Sequence, residues 1–82
     1  MNKIKVSLRP MDDFCHVRVE GGQNAKWLRR RLEKQGVEIS DVTKLEGTAG
    51  YVLHIKYHPN LRHANIKDLL EGIPEVELQG VA

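Results

Sequence analysis

Apolar and polar positions alternate in short stretches along most of this chain, and the places where alternation gives way to a three-to-four residue period mark its helices. Ile4, Val6 and Leu8 alternate with Lys3, Lys5 and Ser7, the signature of a half-buried strand, and Pro10 ends it. Met11-Asp12-Asp13 reads as a turn. Cys15, Val17 and Val19 then alternate with His16, Arg18 and Glu20 in a second strand, which Gly21-Gly22 stops. At about 100° per residue, Ala25, Leu28 and Leu32 share one helix face and Lys26, Arg30 and Lys34 the opposite one. Asn24 is the expected N-cap, the helix runs to about Gln35, and Gly36 is placed to take the left-handed conformation beyond its end.

The second half repeats this logic. Val37–Leu45 is rich in β-branched residues, with irregular alternation, and reads as a strand; 46–50 is a turn. Tyr51–Tyr57 is the clearest strand, with Tyr51, Leu53, Ile55 and Tyr57 on the face expected to meet the core. Asn65, with Asp68 three residues later, predicts a capped helix whose Ile66, Leu69, Leu70 and Ile73 face inward. Pro74 closes it, and Glu75–Gln79 alternates as a last strand.

From residue 15 onward the order is therefore βαββαβ. Strands with one apolar face, connected by amphipathic helices, predict an α+β fold: a ferredoxin-like two-layer sandwich, both helices on one side of an antiparallel sheet. The expected organisation is a single domain over 1–82, with residues 1–14 as an extra N-terminal strand and turn preceding a 15–82 core. The extra strand conflicts with this order, because the first core strand already lies between two neighbours. Residues 4–8 must take an outer edge, displace the C-terminal strand, or pair with another molecule.

Residues 17–78 resemble heavy-metal-associated domains in outline: VRVEGG before the first helix, GVEISDV after it, then GYVLHIKYHP and IKDLLEGIPEVEL. Aligning Gly21 with that family's loop glycine puts Asn24 and Trp27 where its two metal-binding cysteines stand, so the resemblance carries no metal site across. The same stretch is similar to ACT domains, regulatory modules that often bind amino acids near the loop after the first strand and pair edge to edge. Glu20 followed by Gly21-Gly22 partly matches that loop's acidic-plus-glycine pattern. What these resemblances imply is a fold, with a small ligand at the loop and a homodimer through sheet edges.

Composition narrows the setting. Apolar residues make up 40% of the chain and charged ones 29%, ordinary for a small globular domain. One cysteine, Cys15, rules out an internal disulfide framework, and no apolar run reaches the roughly 20 residues of a membrane span. The first twenty residues carry charges throughout and lack a signal peptide's apolar core, so a cytoplasmic location is expected. The net charge of +2 hides an asymmetry: Lys26–Lys34 holds five bases (Lys26, Arg29, Arg30, Arg31, Lys34) against Glu33 alone, whereas Asp68 onward holds four acids and no base.

Candidate chemistry is sparse. Gly21, Gly22, Gln23 and Asn24 lead into a helix N-terminus, where free N–H groups can hold a carboxylate or phosphate; a strand-to-helix turn needing glycine for a tight bend is the simpler explanation. The basic helix, with Lys26, Arg30 and Lys34 to contact phosphates and Trp27 or Arg31 to stack on a base, is the candidate nucleic-acid surface. The uncovered sheet face is expected to carry His16, Arg18, Glu20, Val52, His54, Lys56, Glu77 and Gln79, with cross-strand pairs such as Glu20–Lys56 and Arg18–Glu77 neutralising its charges. His16, His54 and His58, with His63 beyond, lack a carboxylate or thiolate at a tight ligand spacing, so no metal or other cofactor is assigned. Cys15 and His16 point to opposite faces of a strand, and no convergent acid, base and nucleophile exists; no catalytic residue is assigned and the chain is not expected to be an enzyme. The expected function is a non-catalytic binding or regulatory domain for a small ligand or protein partner, dimerising through sheet edges, with a nucleic-acid-binding module on the first helix as the alternative.

Overall fold

The computed structural model describes residues 3–81, with 1, 2 and 82 of the expected single-domain span outside the described residues. Five strands and two helices follow in the order β1 (Ile4–Pro10), β2 (Phe14–Glu20), α1 (Gly22–Lys34), β3 (Ile39–Lys44), β4 (Gly50–Lys56), α2 (His63–Glu71) and β5 (Val76–Val81). The strands form one sheet in the order β3-β4-β2-β1-β5.

The conflict over the first strand resolves inside the sheet. β1 pairs antiparallel with β2, Val6 opposite Val19 and Leu8 opposite Val17, as the short Met11–Asp13 connection dictates. Its other edge takes β5 in parallel, Ile4 opposite Val76 and Val6 opposite Leu78, so the C-terminal strand is displaced outward by one position. The sheet is therefore mixed, which corrects the antiparallel expectation. A hairpin partner of β2 runs opposite to it, and a last strand that also opposes β2 must lie parallel to that partner.

One face of the sheet carries the core. Val6, Leu8, Cys15, Val17, Val19, Leu53 and Ile55 are buried there together with Leu28 and Leu32 of α1 and Ile66 and Leu70 of α2. Removing such side chains from water at about 25 cal/mol per Å² of apolar surface is what holds two short helices onto the sheet. No charged or polar residue is buried among the described residues.

Local details depart from the sequence reading in physically clear ways. Asn24 lies three residues inside α1 rather than at its cap; Gly21 takes the cap position at φ 91°, and Asn24 Nδ2 donates back to the Glu20 carbonyl at 2.9 Å. Asn65 is likewise the third helical residue of α2, its Oδ1 accepting the Arg62 N–H at 2.8 Å. At the other end of α1, Gly36 adopts φ 87° as expected, with its N–H on the Glu33 carbonyl and the Val37 N–H on Leu32. The irregular alternation of β3 is a register shift between Ile39 and Asp41, which leaves Ile39 and Val42, three apart, on the core side.

Candidate nucleic-acid interface on the uncovered sheet face

The face of the sheet turned away from the helices is left uncovered, and its central feature is a cluster of three rings. β2 begins one residue earlier than the alternation of 15–19 indicates, at Phe14, which shares the parity of His16 and Arg18. The register sets His16 directly opposite His54 on β4 and Phe14 opposite Lys56. The two imidazoles meet edge to face with centroids 4.4 Å apart, and the Phe14 ring lies 5.1 Å from His16 and 6.4 Å from His54. Phe14 is 36% exposed, a large apolar ring left in water on a mostly polar face.

Hydrogen bonding orients His54: its Nε2 lies 3.1 Å from Thr43 Oγ1 on β3, and the Ser40 hydroxyl donates to the His54 carbonyl at 3.1 Å. Burial in the cluster, the neighbouring His54 and the Arg9 guanidinium together hold the His16 pKa below its ordinary 6.5. At neutral pH His16 is thus an uncharged aromatic ring. Two open depressions flank the imidazole pair: one of about 240 Å³ bounded by Phe14, His54 and Lys56, the other of about 390 Å³ bounded by Arg9, His16, Arg18 and Val52.

The cross-strand ion pairs expected to neutralise this face do not form. Glu20 stands opposite Gly50, and Lys56 opposite Phe14, six register positions and about 20 Å away at 3.3 Å per residue. Arg18 faces Ser7 and Val52, while Glu77 faces Lys5 on the far side of β1. The ion pairs among the described residues are Arg29–Glu33 and Lys67–Glu71, both on helices. Arg9, Arg18 and Lys56 are exposed around the ring cluster and take part in no ion pair among the described residues; Asp41 stands opposite His54 on β3 and Asp13 borders the depression beside Phe14 and Lys56, while Glu20 and Glu77 lie farther along the sheet.

The other candidate residues fall elsewhere. Gly21 and Gly22 make the turn into α1: the Gly21 N–H binds the Ala49 carbonyl at 2.8 Å, and a Cβ on Gly22 would come within 3.2 Å of the Tyr51 hydroxyl. Both glycines are thus explained by backbone conformation and packing, with Gln23 and Asn24 exposed on the helix that follows. Lys26, Arg30 and Lys34 are exposed on α1, in the opposite layer from the ring cluster. Trp27 is half-buried against the core, and the Arg31 guanidinium sits 6.0 Å from its ring centroid, so neither is a free stacking surface. Tyr51 and Tyr57 pack toward the core, as alternation indicates.

His58 lies beyond β4 in an isolated bridge with Leu61, and His63 is on α2, so neither joins His16 and His54. Among the described residues no group of three or more His, Cys, Asp or Glu is placed to hold a metal ion. Burial pushes the Cys15 thiol up to about 11, with the neighbouring Tyr57 hydroxyl pulling the other way; it is protonated at neutral pH and sealed in the core. Phe14 was missed because the second strand was begun at Cys15; its parity with His16 was the available signal.

What fold and site define is an α+β domain of two layers with a five-stranded mixed sheet, one face under two helices and the other bearing a part-exposed ring cluster among charged side chains. No helix among the described residues is long and apolar enough to cross a membrane. No family model, curated protein or solved structure matches the chain.

Proposed function

We propose that this chain is a nucleic-acid-binding module that receives single-stranded DNA or RNA on its uncovered sheet face. The observation that carries the reading is the part-exposed Phe14–His16–His54 cluster, with Arg9, Arg18 and Lys56 exposed around it and in no ion pair among the described residues. Unpaired bases expose π-faces that stack on Phe and His rings, while Arg9, Arg18 and Lys56 neutralise the phosphates between them. Duplex bases are already stacked on one another and offer such a platform nothing.

This ranks ahead of the small-ligand or protein-partner module for two reasons. The glycine loop has its own explanation in backbone conformation, and the strand that invited edge pairing with a second copy lies inside the sheet. We read the architecture as a ferredoxin-like βαββαβ unit with β1 inserted: without β1 the order would be β3-β4-β2-β5, its first strand between third and last. In such a unit the uncovered face is the natural place for an extended ligand.

The test is fluorescence anisotropy with labelled mixed-sequence single strands at about 50 and 200 mM salt, where phosphate contacts weaken as counterions compete. Phe14→Ala and His54→Ala are each expected to weaken binding by roughly 5- to 100-fold, the range for loss of one stacked base. Unchanged affinity in both variants, or no binding by the parent chain, overturns the reading.

A further inference from the structure

The outer face of α1 is a second charged surface that the ring cluster leaves unused. Lys26, Arg30 and Lys34 recur every four residues, so they line one stripe with successive Cα atoms advancing about 6 Å. All three are exposed, and none takes part in an ion pair among the described residues; the one acid within α1, Glu33, is engaged by Arg29 at 3.6 Å. The opposite stripe of the helix, Ala25, Leu28 and Leu32, is buried against the sheet. The two cationic surfaces therefore look outward from opposite layers of a molecule measuring 33 × 27 × 23 Å.

We infer that this stripe is a separate, base-independent contact for duplex phosphates, so that one chain bridges a single strand on its sheet face and a duplex on α1. The inference rests on the reading above for the first of these two contacts only. Duplex backbone is favoured by what the stripe lacks. Trp27 is half-buried with the Arg31 guanidinium 6.0 Å from its ring centroid, and Tyr51, beside Lys26 and Arg29, packs toward the core, so among the described residues the stripe presents no fully exposed ring to unpaired bases. Protein interfaces are built around apolar and aromatic anchors, and interfacial membrane helices insert apolar side chains. The exposed large hydrophobic residue among those described, Phe14, lies in the other layer. A regular row of cations without apolar anchors fits a sequence-independent phosphate backbone.

The experiment uses a blunt mixed-sequence duplex and a non-complementary single strand carrying a donor and acceptor dye pair. The full chain is expected to bind the duplex and to bring the dyes together. The variant Lys26→Gln/Arg30→Gln/Lys34→Gln, which keeps good helix formers, is expected to lose duplex binding and flatten its salt dependence by about three phosphate contacts' worth. It should hold single strands as before, while Phe14→Ala should do the reverse; energy transfer should vanish in both. Circular dichroism confirms that each variant is folded.

Duplex binding that survives the triple substitution with the same salt slope overturns the proposal. So does one-for-one displacement of the duplex by the single strand, or binding to anionic vesicles in preference to the duplex. Were Phe14→Ala to leave single-strand binding intact while the triple variant lost the duplex, the sheet-face reading would fail and the α1 contact would stand.

Discussion

His16 and His54 meet edge to face across the β2–β4 pairing, centroids 4.4 Å apart and ring planes 79° from parallel. Two imidazoles so close resist carrying two positive charges, and Arg9, opposite His16 on β1, adds to the penalty. With burial as the larger cause, these neighbours hold the His16 pKa below 6.5 and leave its ring an uncharged aromatic surface at physiological pH.

This fixes the sign of a pH effect. With the folded-state pKa of His16 below its ordinary 6.5, the unfolded chain takes up this proton first as pH falls. The His16 contribution to stability is complete above pH 6.5 and is lost as pH drops from there to the lower folded value. Thermal melts at pH 7.5 and 5 should show a larger fall for the parent chain than for His16→Gln. An equal fall in the two would remove His16 as a source of acid sensitivity.

Tyr57 carries a hydroxyl that is buried without a hydrogen-bond partner. Its neighbour is the Cys15 thiol, a weak donor and acceptor at best. Tyr57→Phe should therefore be neutral or stabilising, by up to about 1 kcal/mol, in a denaturant titration. A loss of more than that would reveal a dependence on the hydroxyl.

The raised pKa and full burial of Cys15 predict a silent thiol. Aromatic disulfide reagents should modify it only as fast as the chain opens, and should modify it at once in denaturant. Rapid labelling under native conditions would contradict its position in the core.

Gly21 and Gly36 both have positive φ, yet substitution should not cost the same. At Gly36 a Cβ meets nothing within 4 Å, and alanine should cost about 1 kcal/mol for its left-handed backbone alone. At Gly21, φ 91° and ψ 131° lie in a region left almost entirely to glycine, and a Cβ would press on Asn24 at 3.3 Å. There the expected cost is about 2–3 kcal/mol. Chemical denaturation of the two variants gives the order directly.

Much of this was legible from the residues themselves. Period-two alternation located the strands, and Ala25, Leu28, Leu32, Ile66 and Leu70 were identified as helix residues facing the core, where all five are buried. What alternation cannot convey is register. Glu20 and Lys56 share a face and opposite charge, which invites pairing, but each ends its strand, and antiparallel pairing of β2 with β4 sets the two six positions apart and leaves the sheet face charged. Nor does a local pattern say which neighbour a strand will take: an outer edge, displacement of the C-terminal strand and pairing with another molecule were all open to β1, and the structure takes the second. The candidate site suffered from a boundary error of one residue, since Phe14 belongs to β2 and completes the cluster.

The parallel pairing of β1 with β5 imposes an order of events on the chain's own assembly. Ile4 finds its partner Val76 only after α1, β3, β4 and α2 have been made, so the contact that covers the open edge of β1 spans nearly the whole sequence. The β1–β2 hairpin closes early and locally, then waits with one row of backbone donors and acceptors open to water or to the same strand of another chain. Until the last strand arrives, the future interior of this sheet is an exposed edge, and that interval is when nascent copies are most prone to stick to one another.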